Sequence, residues 1–143
     1  MFIGEYHHTM DEKGRLTIPS KIRYELGEEF VVTRGLDGCL FVYKTSDWNE
    51  LIDNYKNLPN IKDARNFMRF FLSGASKMGF DKQGRINIPL PLIKYADLKK
   101  ECTIVGVGDR LEIWSEEKWN DFIDKNITDL SDTYDSLFVS KNA

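Results

Sequence analysis

The feature that most constrains this 143-residue chain is an internal repeat. The pattern Asp-x-x-Gly-Arg-x-x-Ile-Pro begins at Asp11 and returns at Asp81, so the same five residues recur at an offset of 70. After the prolines the offset becomes 71, and there the aromatic residues also agree, with Trp48 aligned to Trp119. Agreement at a nearly constant offset over about 50 residues favours two copies of one supersecondary unit.

Each copy predicts the same order of elements: a strand, a charged glycine turn, a second strand, a short helix, a hairpin and a closing helix. In the second strand, alternation places Leu16 and Ile18 on one face and Arg15 and Thr17 on the other. The proline that follows has no N–H to donate, so it ends the strand and allows a helix to begin. The predicted ranges are 3–9, 16–18, 75–80 and 86–88 for the single strands, 30–34 with 39–43 and 103–107 with 110–114 for the hairpins, and 20–26 and 91–98 for the short helices.

Further helices close and connect the copies. Ser46 and Ser115 are the predicted N-caps of the two closing helices, and Asn60, after the break at Leu58-Pro59, is the predicted cap of a third. The third helix has an apolar stripe that predicts packing against both copies or against a neighbouring subunit. This stripe consists of Ile61, Ala64, Phe67, Met68, Phe71 and Leu72. The tail from residue 127 predicts either a loose last helix or partial disorder. The chain is thus divided into a first repeat (1–57), a connecting helix (58–73), a second repeat (74–125) and an acidic tail (126–143).

Composition is typical of a globular protein of the cytoplasm. No run of about 18 apolar residues occurs, and the first residues lack the charged and apolar regions of a secretory signal, so neither a membrane span nor export is expected. Cys39 and Cys102 lie in separate apolar runs and are predicted to be buried thiols rather than a disulfide. The net charge is −3, but residues 109–143 alone carry −5, which leaves +2 on the rest of the chain. A mildly basic body with an acidic end is compatible with a local cationic patch.

No pattern typical of an enzyme stands out. His7 and His8 are the only histidines, and as neighbours in a strand they point to opposite faces, which prevents them from binding one metal ion together. The segment Gly106-Val-Gly108 lacks the third glycine of a dinucleotide fingerprint and opens a hairpin rather than a helix. We therefore expect no catalytic residues, no metal, no cofactor and no small-molecule substrate.

The repeated turns coincide with the most basic stretches of the chain. Residues 7–23 carry a net charge of +2 and residues 77–94 one of +3. A tight turn needs only its glycine, so the repeated aspartate and arginine require a further reason. One reason is structural: Asp11 pairs with Arg15, and Asp81 with Arg85, across the turn. The other is functional: the aspartate orients the arginine as a rigid fork for phosphate or for guanine O6 and N7.

Taken together, these motifs resemble the MraZ family of bacterial proteins. The resemblance rests on Met-Phe-x-Gly at residues 1–4, on the two turns, on the hairpin segment 38–43 and on the segment 106–114. It covers nearly the whole chain and is weakest after Asp124. It implies a mainly β fold with short helices, in which the two repeats form a swapped-hairpin, double-split β-barrel like those of the AbrB and MazE proteins. It also implies assembly into a ring-shaped homo-oligomer, an octamer or larger.

The resemblance further implies a sequence-specific DNA-binding transcriptional regulator associated with the nucleoid. Its partner is then double-stranded promoter DNA with direct repeats, upstream of the division and cell-wall gene cluster and of its own operon. The family's DNA-contacting motif falls on Asp11, Lys13, Gly14, Arg15, Asp81, Gly84 and Arg85. Neighbouring basic residues complete the predicted DNA-binding set with Lys21, Arg23 and Lys82.

Repetition gives such a site a physical rationale. One turn buries little surface, but several turns around a ring engage successive DNA repeats and gain affinity through effective concentration. An alternative is a protein-interaction module of antitoxin type without specific DNA binding, for which the apolar stripe between Ile61 and Leu72 would serve. A second alternative is an enzyme on a small β-barrel, which a pocket of converging ionisable groups would favour.

Overall fold

Two similar halves follow each other in the computed structural model, which describes residues 1–139. The first half contains β1 (Glu5–Thr9), β2 (Arg15–Thr17), α1 (Ser20–Leu26), β3 (Phe30–Arg34), β4 (Leu40–Lys44), α2 (Thr45–Tyr55) and α3 (Lys62–Ser73). The second half contains β5 (Ser76–Met78), β6 (Arg85–Asn87), α4 (Leu90–Tyr95), β7 (Glu101–Gly106), β8 (Leu111–Ser115) and α5 (Glu116–Asn126). A 3₁₀ turn (Ile127–Asp129), α6 (Leu130–Tyr134) and a π-helical turn (Asp135–Val139) follow.

The order of elements agrees with the prediction in both halves, and the differences lie at helix ends. α1 begins and ends at the predicted residues, whereas α4 ends at Tyr95, and the chain leaves the helix through Asp97 at a φ of 52°. The tail is helical over residues 127–139, which favours the first of its two predicted alternatives there, and residues 140–143 lie outside the described range. Within residues 1–139 no helix combines the length and apolarity needed to cross a membrane.

The predicted caps are confirmed at one position of three. Ser115 caps α5, because its hydroxyl accepts the N–H of Lys118 at 3.1 Å. The prediction for Ser46 is wrong: α2 begins at Thr45, and Lys44, two residues before Ser46, occupies the cap position. The prediction for Asn60 is also wrong, since Ile61 occupies the cap position of α3, and no side chain caps that helix.

Strands from the two halves pair with each other. β1 pairs with β7 and β5 pairs with β3, so the first strand of each repeat joins the third strand of the other. β4 pairs with β8 around Phe41 and Glu112, and β2 pairs with β6 around Leu16 and Ile86. Both central pairs consist of repeat-equivalent residues. The two halves are therefore related by an approximate twofold axis that passes through these two ladders.

The main sheet is open rather than closed. Its six strands follow the order β1-β7-β8-β4-β3-β5, which leaves β1 and β5 as edges. The predicted double-split β-barrel is therefore not closed: β2 and β6, each three residues long, form a separate two-stranded ladder, which meets the main sheet through a bridge between Met10 and Leu16.

Both faces of the main sheet are covered. One face packs against the β2–β6 ladder together with α1 and α4, and the other lies under α2, α3 and α5. Leu16 and Ile18 are buried in the first of these layers, which confirms the predicted strand face. Cys39 and Cys102 are buried free thiols, as predicted.

α3 packs against both halves, which is the first of its two predicted alternatives, although its contact with the second half is made by a residue outside the predicted stripe. Phe71 is buried and stacks on Trp48 with ring centroids 5.3 Å apart, and its carbonyl accepts the Thr33 hydroxyl at 2.6 Å. On another side of the helix, Phe70 contacts Tyr95 of the second half, with centroids 5.6 Å apart. The helix between the repeats is therefore part of the core rather than a loose linker.

Candidate nucleic-acid interface

The first repeated turn is held together by the carboxylate of Asp11. It accepts the backbone N–H groups of Lys13 and Arg15 at 3.0 and 2.9 Å, and the Arg15 Nε–H at 2.6 Å. The backbone closes the same loop, because the Asp11 N–H donates to the Arg15 carbonyl at 3.0 Å. Among the residues that the structure describes, the two Nη atoms of Arg15 have no hydrogen-bond acceptor. The aspartate thus fixes the arginine by its Nε edge and leaves the outer edge of the guanidinium for another ligand.

The second turn reproduces this arrangement. The carboxylate of Asp81 accepts the N–H of Gln83 at 2.8 Å, the N–H of Arg85 at 2.9 Å and the Arg85 Nε–H at 2.8 Å. Arg85 also lies near the other turn, with its Nη1 3.9 Å from Asp11 Oδ2. The side chains of Arg15 and Arg85 are 34% and 25% exposed, so neither guanidinium is enclosed in the interior. The predicted pairing within each turn is therefore present, and it leaves both arginines accessible.

Hydrogen bonding keeps both aspartates ionised. The N–H of Arg15 holds the pKa of Asp11 below its ordinary value of 3.8, and the Arg15 side chain and the Lys13 N–H act in the same direction against partial desolvation. The pKa of Asp81 is lowered in the same way, first by the N–H of Arg85 and then by its side chain. At neutral pH each arginine therefore stands beside a charged, fixed partner.

Glycine is required in both turns for its conformation. Gly14 and Gly84 adopt φ of 80° and 74°, in the left-handed region that other residues rarely occupy. Each glycine is also buried: a Cβ on Gly14 would lie 3.0 Å from the carbonyl oxygen of Ile88, and one on Gly84 would lie 2.5 Å from the Arg23 guanidinium carbon. The two predicted glycines therefore determine the backbone shape of the turns and have no side chain to offer a ligand.

The two turns form one unit because the β2–β6 ladder connects them. The Ile18 N–H donates to the Gly84 carbonyl at 3.1 Å, and the Ile88 N–H donates to the Gly14 carbonyl at 2.9 Å. Leu16 and Ile86 face the core from this ladder, and the alternating residues Arg15 and Arg85 face outward. A ladder of three residue pairs, buried at its central pair, thus holds two arginines close together on one outer surface.

Each turn also rests on a helix from the opposite repeat. The first turn borders a cleft with Leu90 and Ile93 of α4, and the second borders a cleft with Ser20 and Tyr24 of α1. Arg23 of α1 lies in the second cleft, where its Nη1 donates to the Ile18 carbonyl and its guanidinium packs against Gly84. The structure therefore places Arg23 beneath the turn, as a support for Gly84.

The predicted lysines are at the surface around these turns. Lys13, Lys21 and Lys82 are exposed, and within the described part of the chain none has a carboxylate within 4.0 Å. The sequence analysis missed Lys99 and Lys100, which line the first cleft beside Asp11. They reach this position because β1 pairs with β7, and the Met10 N–H donates to the Lys100 carbonyl at 2.7 Å. The only sign of these residues in the sequence is that two lysines stand next to each other just before a strand.

The histidines lie on β1, in the main sheet. His7 Nε2 is 2.8 Å from Glu5 Oε2, and His7 Nδ1 is 3.2 Å from Glu116 Oε1, so its neighbours are carboxylates of the main sheet and α5. His8 is partly buried on the other side of the strand. Their opposite orientations are those predicted from the strand.

Fold and turns together define a class of protein: a duplicated β protein whose two halves exchange strands and each contribute one Asp-x-x-Gly-Arg turn to a shared ladder. A family model described as "MraZ protein, putative antitoxin-like" matches residues 1–70 and again residues 71–139. The chain therefore belongs to the MraZ family, which confirms the resemblance found in its motifs.

Proposed function

We propose that this chain is a sequence-specific DNA-binding transcriptional regulator, which binds repeated promoter elements through the paired turns of a ring-shaped oligomer. One observation carries the proposal: two arginines, each fixed by its own aspartate, lie on one outer ladder with Arg85 Nη1 only 3.9 Å from Asp11. The duplicated turns are more elaborate than chain reversal requires, since glycine alone would allow the turn.

The geometry of each arginine suits base recognition. A guanidinium has five N–H donors, and the bond from Nε to the aspartate leaves the four on its Nη atoms. Paired N–H donors of this kind match O6 and N7 of guanine or two oxygens of a phosphate. Because the aspartate and the turn already restrict the side chain, less rotamer entropy is lost when it binds.

The lysines around the turns have a different role. Lys13, Lys21, Lys82 and Lys100 are exposed, and lysine binds phosphate as a mobile point charge. Contacts of this kind position DNA without reading its sequence, and they make affinity depend on salt. We therefore assign specificity to Arg15 and Arg85, and general affinity to the lysines.

The direct test is footprinting of the DNA upstream of the chain's own gene, with Arg15→Ala beside the wild type. We expect the wild type to protect a series of direct repeats, and Arg15→Ala to lose this protection while its oligomer mass and thermal midpoint are unchanged. Lys56→Ala, just after α2, is the matched control, because it removes one exposed positive charge far from the turns in sequence. Unfolding of Arg15→Ala would instead assign Arg15 to a structural ion pair.

Repeat number gives a second test. Linked turns gain affinity by effective concentration, so a duplex with several repeats should bind much more tightly than one with a single repeat. Equal affinities for the two duplexes, measured at one salt concentration, would contradict the proposal of several turns acting together.

A second candidate is a protein-interaction module of antitoxin type. The description of the family as antitoxin-like favours it, and so does the partly exposed apolar stripe of α3, where Ile61 and Leu72 reach the surface. An intact oligomer that protects no upstream DNA, but binds one purified partner protein through α3, would favour this candidate over the first.

A further inference from the structure

The end of the described chain has an apolar surface without cover. Ile127, Leu130, Tyr134 and Leu137 follow the spacing three, four, three, which places them along one side of a helix. Each is between 51 and 59% exposed. We refer to residues 127–139 as the tail helix, although its first and last turns are 3₁₀ and π. A row of four large, exposed apolar side chains is typical of a surface that binds another molecule.

The tail helix extends from α5 because nothing in the sequence interrupts it. Residues 116–139 contain neither proline nor glycine. After α2, by contrast, Leu58-Pro59 breaks the chain, and α3 returns over the sheet so that Phe71 is buried. In the first half, α3 therefore packs against the closing helix α2. In the second half, the segment after the closing helix α5 is exposed.

Part of the apolar stripe at α3, which we call the outward stripe, remains at the surface. Ile61, Met68 and Leu72 lie at spacings of seven and four, and Ile61 and Leu72 are 53 and 41% exposed. Arg65 and Arg69 border this stripe and donate to the side-chain oxygens of asparagines on the same segment, at 3.1 and 3.2 Å. Within residues 1–139 neither arginine has a carboxylate within 4.0 Å. The stripe thus combines exposed apolar side chains with unneutralised positive charge.

The two surfaces complement each other in charge and in length. The tail helix contains three aspartates and no basic residue, whereas residues 62–73 carry a net charge of +2. At the rise of an α-helix, the 13 residues of the tail helix span about 20 Å and the 12 residues of α3 about 18 Å. We infer that the tail helix of one chain docks on the outward stripe of α3 in a second copy of the chain. This contact joins two different surfaces, so it can be repeated from copy to copy.

Cross-linking between two kinds of full-length chain tests this contact. Burial raises the pKa of Cys102 to about 11, and Cys39 is also buried, so an added surface cysteine reacts selectively. We would mix Leu130→Cys chains with tagged chains that carry Ile61→Cys or Leu72→Cys, and treat them with a short bis-maleimide. The expected result is a mixed product with at least one of the two α3 positions. Tyr24→Cys is the control, because Tyr24 is 92% exposed on α1 and should give none.

Three results would overturn the inference. If Leu130→Cys chains couple mainly to each other, the tail helix binds another tail helix. If a chain with both Leu130→Cys and Leu72→Cys links only within itself, the tail helix binds its own α3. If Tyr24→Cys couples as well as the α3 positions do, the products reflect collision alone.

Molar mass in solution supplies an independent measurement. We expect the double variant Leu130→Lys with Leu137→Lys to need at least tenfold more protein to reach the mass of the wild-type assembly. Leu36→Lys is the matched control, since Leu36 is 53% exposed at the tip of the β3–β4 hairpin and should leave the mass unchanged. An unchanged mass in the tail variant would contradict the docking. Neither experiment contains DNA, so their outcome is separate from that of the proposed DNA binding.

Discussion

The two repeats build the same turn in different surroundings. Around the first turn, Arg15 contacts the carboxylate of Asp11, and Glu12, Lys99 and Lys100 line the adjoining cleft. Around the second turn, Arg85 lies near both Asp81 and Asp11, and the adjoining cleft is lined by Glu28, Lys82 and Arg23, the last of which is bound to a carbonyl. Duplication has kept the geometry of the arginine and changed the charges beside it. If the turns bind DNA as proposed, we expect the first to be the stronger contact, because the second arginine lies near two carboxylates.

The connecting helix α3 and the closing helix α5 also differ, in how deeply their aromatic stacks are buried. Phe71 of α3 is buried between Trp48 and Phe67, with centroids 5.3 and 5.4 Å away. Phe122 of α5 stacks on Trp119 at 5.4 Å but is 39% exposed. The same kind of aromatic stack is thus internal in one repeat and partly at the surface in the other.

The largest expected effect concerns this aromatic comparison. Phe71→Ala should lower the free energy of unfolding by about 3–5 kcal/mol, because it removes a buried ring and leaves a cavity. Phe122→Ala should cost about 2 kcal/mol, since part of its ring is already in water. Urea unfolding at one protein concentration measures both, and equal losses would show that the second stack is as well covered as the first.

DNA affinity should separate the two arginines. Arg15→Ala is expected to weaken specific binding about tenfold or more, in line with the loss of about 1–3 kcal/mol for a bidentate contact to guanine. Arg85→Ala should weaken it less, because two carboxylates already surround Arg85. Fluorescence anisotropy with a multi-repeat duplex gives both constants. A larger loss for Arg85→Ala would reverse the ranking of the turns.

Substitution of the turn glycines compares the backbone requirements of the two turns. Gly14→Ala and Gly84→Ala should each cost about 1–2 kcal/mol of stability, because both force a side chain into a left-handed conformation. Gly14→Ala should cost more, since its Cβ meets a fixed carbonyl oxygen, whereas at Gly84 the obstacle is the end of the Arg23 side chain. Gly27→Ala controls for conformation alone, because its φ is 84° and a Cβ there meets nothing within 4 Å.

The charges beside the turns should have smaller effects. Lys100→Glu is expected to weaken DNA binding a few-fold for all sequences and to reduce its dependence on salt. Glu28→Lys should strengthen binding by a similar factor, because it replaces a negative charge in the second cleft with a positive one. Titrations at several salt concentrations, with specific and unrelated duplexes, measure these changes. A change in sequence preference would instead assign a base contact to the altered residue.

The smallest effect concerns acid stability. Because the folded pKa values of Asp11 and Asp81 lie below 3.8, their contribution to stability is present above that pH and is lost as the pH falls through the lowered values. The difference in thermal midpoint between wild type and Asp11→Asn should therefore shrink as the pH falls below 3.8. The difference for Asp81→Asn should follow the same course with a smaller amplitude, since only Asp11 has a second arginine nearby. Asp53→Asn on α2, an exposed position beside Lys56, serves as the control.

Predictions from the sequence were most accurate where all the interacting residues lie within a few positions. The Asp11–Arg15 pair, the left-handed glycines, the buried face of β2 and the bounds of α1 all follow from local pattern. Predictions failed at the caps Ser46 and Asn60, where the cap position lies two residues and one residue away from the predicted one. The predicted barrel is also not closed in the structure, and the pairing of β2 with β6 that separates them from the main sheet joins residues 70 positions apart.

The sequence by itself determined that this protein has two copies of one turn, and what each turn looks like, because the bonds of the turn join residues no more than four positions apart. Only the tertiary structure decided which strands of the two copies pair, that each turn rests on the helix of the other repeat, and that Lys99 and Lys100 lie beside the first turn. The reason is physical: local patterns select backbone conformation, whereas the choice of partner strand depends on which distant apolar faces bury each other best.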